Sequence, residues 1–185
     1  MDKALKDNLI HRMEGAVEAL RKEFNSVRTG RASLALLEGV TVDYYNTPTP
    51  LQQVAALSVP ESRLIVIQPW EQKMIGEIER ALMKSDLGLT PANDGKVIRL
   101  PIPMLTEERR RDLVKVVKKK AEEARVAMRN IRRDVNENAK KLEKERHVSE
   151  DEVKKTVSEV QKITDSYIGK VDELLEAKEK EIMEV

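Results

Sequence analysis

The sequence predicts an α+β protein in which a small β/α/β domain is inserted into an antiparallel three-helix bundle. All seven prolines of the 185-residue chain lie between positions 48 and 103, and proline breaks the interior of a helix. Before and after that stretch, apolar residues recur at steps of three and four, a period typical of helices. Within it they form short alternating or β-branched runs, which are typical of strands.

The first helix is expected over residues 3 to about 28. One apolar stripe runs along it, formed by Leu5, Leu9, Met13, Val17, Leu20, Phe24 and Val27. Gly30 follows the last turn and is interpreted as the C-cap, since glycine accepts the left-handed backbone that often ends a helix.

Two further helices are expected after residue 105. Thr106 is a candidate N-cap for a helix that continues to about 146, and at 1.5 Å per residue this helix would be roughly 60 Å long. A third helix begins at Ser149, and Glu152 completes a capping box with it. The short break at 146–148 fits a tight reversal between the two.

Each helix has one apolar face, so the three must cover one another. We therefore assign 1–29 and 106–185 to the bundle and 30–105 to the inserted domain. In the insert, strands are expected near 40–44, 54–59, 64–67 and 96–100, with a helix over about 70–85. The chain crosses between the domains near 29–31 and near 101–105. Two adjacent crossings favour either a hinge or a rigid packed junction, and the candidate hinge residues are Thr29, Gly30, Pro101, Pro103 and Leu105.

The residues that usually carry catalysis are scarce. The chain has no cysteine, which excludes disulfides, thiolate catalysis and cysteine-ligated metals. His11 and His147 are its two histidines and lie far apart in sequence, and the turn at 94–96 lacks the upstream glycine of a phosphate-binding loop. We expect no enzyme activity, catalytic residue, metal, cofactor or small-molecule substrate. With no signal peptide and no membrane span in the sequence, a cytoplasmic protein is expected.

The net charge of +1 conceals an uneven distribution of charge. Residues 106–146 carry 15 basic and 9 acidic groups, a net of +6, whereas residues 149–185 carry 6 and 11, a net of −5. The other segments, 1–29 and 30–105, contribute +1 and −1, which restores the total. The near-neutral sum therefore excludes a protein that is basic throughout, but not one that offers nucleic acid a single face.

We call six cations of the helix 106–146 the basic row: Arg111, Lys118, Arg125, Arg129, Arg132 and Lys140. At 100° per residue they fall within an arc of about 80°, flanked by Arg110 and Arg133. We expect the row to face water with few acidic partners, because Glu122 lies on this face and only Glu107 and Asp112 are nearby. Such a row suits a phosphate backbone, and the alternative is a solvated face. Few aromatic residues occur on the helices, which favours recognition of folded RNA by shape.

A second basic cluster, Arg28 and Arg31, lies where the first helix meets the insert. These arginines could contact RNA or neutralise the C-terminal end of the helix.

Five segments give the chain a resemblance to the ribosome recycling factor family: 28–31 (RTGR), 43–51 (DYYNTPTPL), 85–89 (SDLGL), 105–111 (LTEERRR) and 126–134 (VAMRNIRRD). The resemblance covers the whole chain in the same order. Two positions depart from the family's pattern, which usually has glycine where Asn46 stands and often proline where Leu34 stands. Since asparagine tolerates a left-handed turn, neither departure alters the assignment.

The resemblance implies an L-shaped, tRNA-like body whose three-helix bundle binds the large subunit of the post-termination ribosome, through ribosomal RNA and ribosomal proteins. It also implies that the protein, together with elongation factor G and GTP, promotes splitting of the ribosome into subunits. It further implies that Arg110, Arg129 and Arg132 contact ribosomal RNA, and that Arg28 and Arg31 support the same surface or the hinge. We add Arg125 and Arg133, which lie on or beside the basic row, as candidate rRNA-binding residues. A monomer is expected, because one chain can bury all of its apolar stripes. The alternative is a coiled-coil chaperone or scaffold that binds partner helices, forms oligomers and lacks RNA affinity.

Overall fold

A computed structural model describes residues 1–184, which fold as two compact units. One unit comprises Met1–Val27 together with the chain from Glu107 onward, and the other comprises Arg28–Thr106. The α-helices are α1 (Lys3–Ser26), α2 (Ile75–Lys84), α3 (Glu107–Arg146) and α4 (Glu150–Met183). The strands are β1 (Thr41–Tyr44), β2 (Thr47–Pro50), β3 (Ala55–Glu61), β4 (Leu64–Pro69), β5 (Ala92–Asn93) and β6 (Ile98–Pro101). The predicted α+β fold class is confirmed.

In the first unit, α1, α3 and α4 pack against one another along their apolar stripes. Leu9, Met13, Val117, Met128 and Val171 are fully buried, because residues three and four apart share one face of a helix. The predicted start of α4 is confirmed, since the Ser149 side chain accepts a hydrogen bond from the Glu152 N–H at 3.3 Å. The core of this unit is therefore built from the central residues of the three stripes.

The turn between α3 and α4 uses a left-handed residue. His147 has φ +52°, and the Val148 N–H donates to the carbonyl of Glu143 at 3.1 Å. This bond satisfies one of the carbonyls that a helix end leaves unpaired.

The second unit contains two antiparallel sheets and α2. Strands β1 and β2 form a hairpin, and the other four strands are ordered β3-β4-β6-β5. A buried cluster that includes Val42, Ile65, Ile67, Ile78 and Leu100 joins the sheets to α2. The core of this unit therefore rests on β-branched strand residues and on one face of a short helix.

Two strands of the second unit were not predicted. Strand β2 contains Pro48 and Pro50, and it tolerates them because it pairs on one side only, with β1. Tyr45 and Asn46, with φ of 49° and 64°, form the tight turn that brings β2 back along β1. Strand β5 is two residues long, too short for any periodicity to reveal it.

The interpretation of Gly30 as a C-cap is wrong. Helix α1 ends at Ser26 and is capped by Val27 in an extended conformation. Gly30 adopts φ +76°, and a Cβ at this position would lie 3.0 Å from Leu105 Cγ. Glycine is therefore required here by a left-handed turn and by the close approach of the second crossing segment.

Both crossing segments are hydrogen-bonded to the hairpin between β3 and β4. The Ala32 N–H donates to the Ser62 carbonyl at 2.7 Å, and the Ile102 N–H donates to the Arg63 carbonyl at 2.8 Å. The segments thus belong to the second unit by their bonding as well as by their packing.

Among residues 1–184, no helix has a stretch both long and apolar enough to cross a membrane.

Candidate nucleic-acid interface on α3

The basic row lies along the edge of α3 that adjoins α4. Three of its members bond to α4: Lys118 to Glu179 at 4.0 Å, Arg132 to Gln161 at 3.3 Å, and Arg125 to Asp172 at 2.6 and 3.0 Å. The expectation that the row has few acidic partners is wrong, because α4 supplies them. We call this junction of α3 and α4 the seam.

Arg125 is largely enclosed, with 19% of its side chain exposed. Its Nε and Nη2 both donate to Asp172 Oδ1, and its Nη1 donates to Glu122 at 3.2 Å. Burial lowers the pKa of this guanidinium, but the hydrogen bonds to Asp172 and Glu122 outweigh burial and hold the pKa above its ordinary value. Arg125 is therefore a fixed cation that ties α3 to α4.

Arg129 has more freedom than Arg125. It is 39% exposed and donates to Glu122 at 3.1 Å, on the solvent side of the seam. Hydrogen bonds from Arg129, and then from Arg125, hold the pKa of Glu122 below its usual range. Glu122 thus serves both arginines, and Arg125 has Asp172 as a second acidic partner whereas Arg129 has Glu122 alone.

Arg110 and Arg133 make no hydrogen bond or ion pair with any residue of the described chain. Arg133 is exposed and Arg110 is half-buried near the start of α3. At 1.5 Å per residue they are separated by about 35 Å along the helix. Together with Arg129 and Arg132, they place cations that can still bind phosphate along more than half of α3.

The second cluster differs in its bonding. Arg28 donates hydrogen bonds to the backbone carbonyls of Leu87 and Asp86. Its guanidinium thereby holds the loop after α2 against the first crossing segment. Arg31 is exposed. Both arginines belong to the second unit, so they form a separate cluster from the row on α3.

The candidate hinge residues also lie in the second unit. Pro101 ends β6 opposite Leu64, and Leu105 packs over Gly30. Pro103 and Leu105 line a small cavity of about 260 Å³, and Thr29 is half-buried.

The sequence interpretation missed the acidic partners on α4. Asp165, Asp172 and Glu179 are spaced by seven residues and fall on one edge of the helix. That spacing was a usable signal, because acids repeated every two turns can meet cations at 118 and 125 on an antiparallel neighbour. Asp165 continues the repeat but accepts from Gln161, which takes the place opposite Arg132.

No group of three or more histidine, aspartate or glutamate side chains within residues 1–184 is arranged to hold a metal ion.

Comparison with known proteins decides the family. A family model described as "Ribosome recycling factor" matches residues 20–183. The chain belongs to the ribosome recycling factor family. The resemblance seen in the sequence motifs is thus confirmed, and all five motifs lie within the matched residues.

Relatives named ribosome-recycling factor match over nearly their whole length. The chain is 58% identical over 174 residues to the protein from Nitratidesulfovibrio vulgaris, with 94% of each chain covered. It is 60% identical over 173 residues to that from Carboxydothermus hydrogenoformans, with the same coverage. It is 56% identical over 185 residues to that from Halalkalibacterium halodurans, with both chains fully covered.

Solved structures of the same family share the fold. A solution structure of a ribosome recycling factor superposes with a TM-score of 0.77 at 45% identity, covering 100% of both chains. A second structure is described as models for the T. thermophilus ribosome recycling factor and the E. coli elongation factor G bound to the E. coli post-termination complex. It gives a TM-score of 0.66 at 47% identity and covers 98% of each chain.

Proposed function

We propose that this protein recycles ribosomes after translation termination. It binds the large subunit of the post-termination ribosome and, with elongation factor G and GTP, promotes splitting into subunits. Membership of the ribosome recycling factor family carries the proposal. A similar solved structure, described as bound to the post-termination complex together with elongation factor G, supports these partners.

The bundle attaches to ribosomal RNA through the cations that remain able to bind phosphate. Arg129 acts at the solvent side of the seam and Arg132 acts within it, opposite the neutral Gln161. Arg110 and Arg133 extend the contact along α3. Guanidinium groups suit this task because they bind phosphate oxygens with two parallel hydrogen bonds. Arg125 contributes by fixing α3 against α4, through its bonds to Asp172 and Glu122.

Arg28 and Arg31 support the same function from the second unit. Arg28 positions the first crossing segment through the Asp86 and Leu87 carbonyls, whereas Arg31 offers an exposed cation to RNA. Both crossing segments are bonded into the second unit, so movement between the units would pivot close to Val27, where α1 ends. In this mechanism the bundle holds the ribosome while elongation factor G displaces the second unit.

The protein performs no bond chemistry in this scheme, since GTP hydrolysis by elongation factor G supplies the energy. It acts as a monomer in the cytoplasm, where the ribosomes are. The chaperone or scaffold alternative requires free apolar helix faces, and burial of Leu9, Val117 and Val171 within one chain argues against it.

The decisive experiment measures binding to purified large subunits and splitting of post-termination ribosomes. We compare the unaltered protein with Arg129→Ala/Arg132→Ala and with a control, Lys3→Ala/Lys22→Ala. The control also loses two positive charges, but from the exposed side of α1. We expect the arginine variant to lower the slope of log affinity against log salt by about 2, and the control to leave it unchanged. Equal affinity for the arginine variant and the unaltered protein would contradict the assignment of the basic row.

A further inference from the structure

The charge of the seam changes along its length. Toward the N-terminal end of α3, the row faces Glu179 and Asp172 of α4. At Arg132 the bonded residue of α4 is the neutral Gln161. The acids that neutralise the row are thus confined to one part of the seam, and α4 carries a net negative charge without being acidic along its whole length.

An open groove of about 530 Å³ lies at the other end of the seam, past Gln161. Three lysines line it, Lys140 from α3 and Lys154 and Lys162 from α4. Val153 and Val157 provide apolar surface between them, and Ser158 adds a hydroxyl group. We call this feature the lysine groove.

The three ammonium groups lack partners. None of them makes a hydrogen bond or ion pair with another residue of the described chain. Two nearby acids on α4 are already engaged, because Asp165 accepts from Gln161 Nε2 at 2.7 Å and Glu159 is bonded to Lys6 at 3.0 Å. The hydrogen bond from Lys6 is the main reason that the pKa of Glu159 is lowered, and Lys162 adds a smaller electrostatic effect.

The groove is continuous with the face already assigned to RNA. Gln161 lines the groove and at the same time accepts the hydrogen bond from Arg132. On α3, Lys140 lies two turns beyond Arg132 and Arg133, on the same side of the helix. A chain of phosphates that follows the row would therefore reach the groove directly, passing Asp165, whose carboxylate accepts a hydrogen bond from Gln161.

We propose that the lysine groove binds a segment of RNA sugar-phosphate backbone, as a second contact that extends the row onto α4. Lysine ammonium groups serve as point charges for phosphate oxygens, and the valines offer apolar surface to ribose rings. The Ser158 hydroxyl stands where a ribose 2′-hydroxyl or a phosphate oxygen can bond. The inference rests on the proposed ribosomal function and adds three residues to its interface.

The test compares Lys140→Ala/Lys154→Ala/Lys162→Ala with the control Lys3→Ala/Lys22→Ala/Lys180→Ala, which loses the same charge elsewhere on the bundle. Affinity for purified large subunits is measured from about 50 mM to about 200 mM salt. Loss of three phosphate contacts lowers the magnitude of the salt slope by roughly 2 to 3, so the loss of affinity across this fourfold range becomes about 15 to 60 times smaller. A Lys140→Arg/Lys154→Arg/Lys162→Arg variant keeps the charges, and we expect it to retain the slope.

The outcomes separate this inference from the proposed function. Suppose that the unaltered protein binds subunits and that the salt slope falls in the Arg129→Ala/Arg132→Ala variant but not in the lysine-to-alanine variant. The lysine groove is then refuted as an RNA contact, and the proposed function stands. If the unaltered protein does not bind subunits, both are refuted.

A cross-linking experiment identifies the class of partner in the groove. Because the chain has no cysteine, Ser158→Cys creates a single attachment point for a short photoactivated cross-linker. We expect cross-links to ribosomal RNA in the bound complex. Cross-links to ribosomal proteins alone would overturn the proposal in favour of a protein contact, and absence of cross-links in a complex that forms normally would overturn it as well.

Discussion

Arg125 and Arg133 lie eight residues apart on α3, and the structure predicts opposite consequences for their removal. Arg125 is enclosed in the seam and bonded to Asp172 and Glu122. Arg133 is exposed and has no polar partner among residues 1–184. We expect Arg125→Ala to destabilise the bundle while leaving the salt dependence of ribosome binding nearly unchanged. We expect Arg133→Ala to do the reverse.

The size of the stability loss follows from the surroundings of Arg125. Its partners Asp172 and Glu122 are 56% and 52% exposed, so solvent screens the ion pairs. Enclosure of the arginine itself strengthens them, and its aliphatic stem packs in the seam. We therefore expect Arg125→Ala to lower the free energy of unfolding by about 1–2 kcal/mol, which lies between the contribution of an exposed ion pair and that of a buried charged hydrogen bond. For a chain of this length that lowers Tm by about 2 to 8 °C.

The assay is thermal unfolding followed by circular dichroism, combined with the binding titration against salt. Arg133→Ala should change the free energy of unfolding by no more than about 0.5 kcal/mol and reduce the salt slope by about 1. Arg125→Lys should recover part of the stability, because an ammonium group keeps the charge but loses the second hydrogen bond to Asp172. If Arg125→Ala left Tm unaltered and reduced the salt slope, the interpretation of this residue as a link between helices would be refuted.

Three further predictions concern stability. Gly30→Ala should lower the free energy of unfolding by about 1–2 kcal/mol, because alanine is strained in the left-handed backbone conformation of this position. The loss should exceed that of Gly95→Ala, since a Cβ at position 30 meets Leu105 whereas one at position 95 meets nothing within 4 Å; chemical denaturation of both variants checks this order. Asn136→Leu should leave stability unchanged or raise it by about 1 kcal/mol, because the buried Asn136 Oδ1 has no partner within residues 1–184; a clear loss in denaturation would contradict this. Two backbone N–H groups and an arginine hold the pKa of Asp94 far below its ordinary value of 3.8. The stability that the Asp94 carboxylate contributes to the fold is therefore fully present above about pH 4 and is lost as the pH falls further toward its pKa in the folded protein. Asp94→Asn should therefore make acid unfolding less steep below about pH 4, and an unchanged pH profile would exclude this role.

The sequence was sufficient for the helices because their signals are local. An apolar stripe at steps of three and four fixes which face is buried, and a capping residue such as Ser149 fixes where a helix begins. The strands were harder to predict, since β2 is stabilised by pairing with β1 and by its turn at Tyr45 and Asn46. The prolines of β2 are a local signal against a strand, and the pairing with β1 overrides that signal.

The function of individual cations could not be predicted from the helix that carries them. Helical periodicity correctly grouped Arg125, Arg129 and Arg132 on one side of α3, but it carries no information on the register between α3 and α4. That register determines that Arg125 meets Asp172 whereas Arg132 meets the neutral Gln161. A shift of one turn in the packing would change the α4 partner of both arginines, so the distinction appears only when both helices are present.

The pairing of a basic helix with an acidic one solves a problem that a uniformly basic bundle would face. A large field of one sign attracts any polyanion and destabilises the fold through repulsion among its own charges. Here Asp172 and Glu179 cancel part of the row at close range, and the ion pairs also link the helices. Because such fields decay within about 8–10 Å at physiological salt, the cations without acidic partners act only on phosphates that come close to them. Near-neutral net charge and a basic edge are therefore compatible. In the proposed function, the acids of α4 would restrict RNA contact to ligands whose shape brings phosphates to Arg133, Arg132 and the lysine groove in succession.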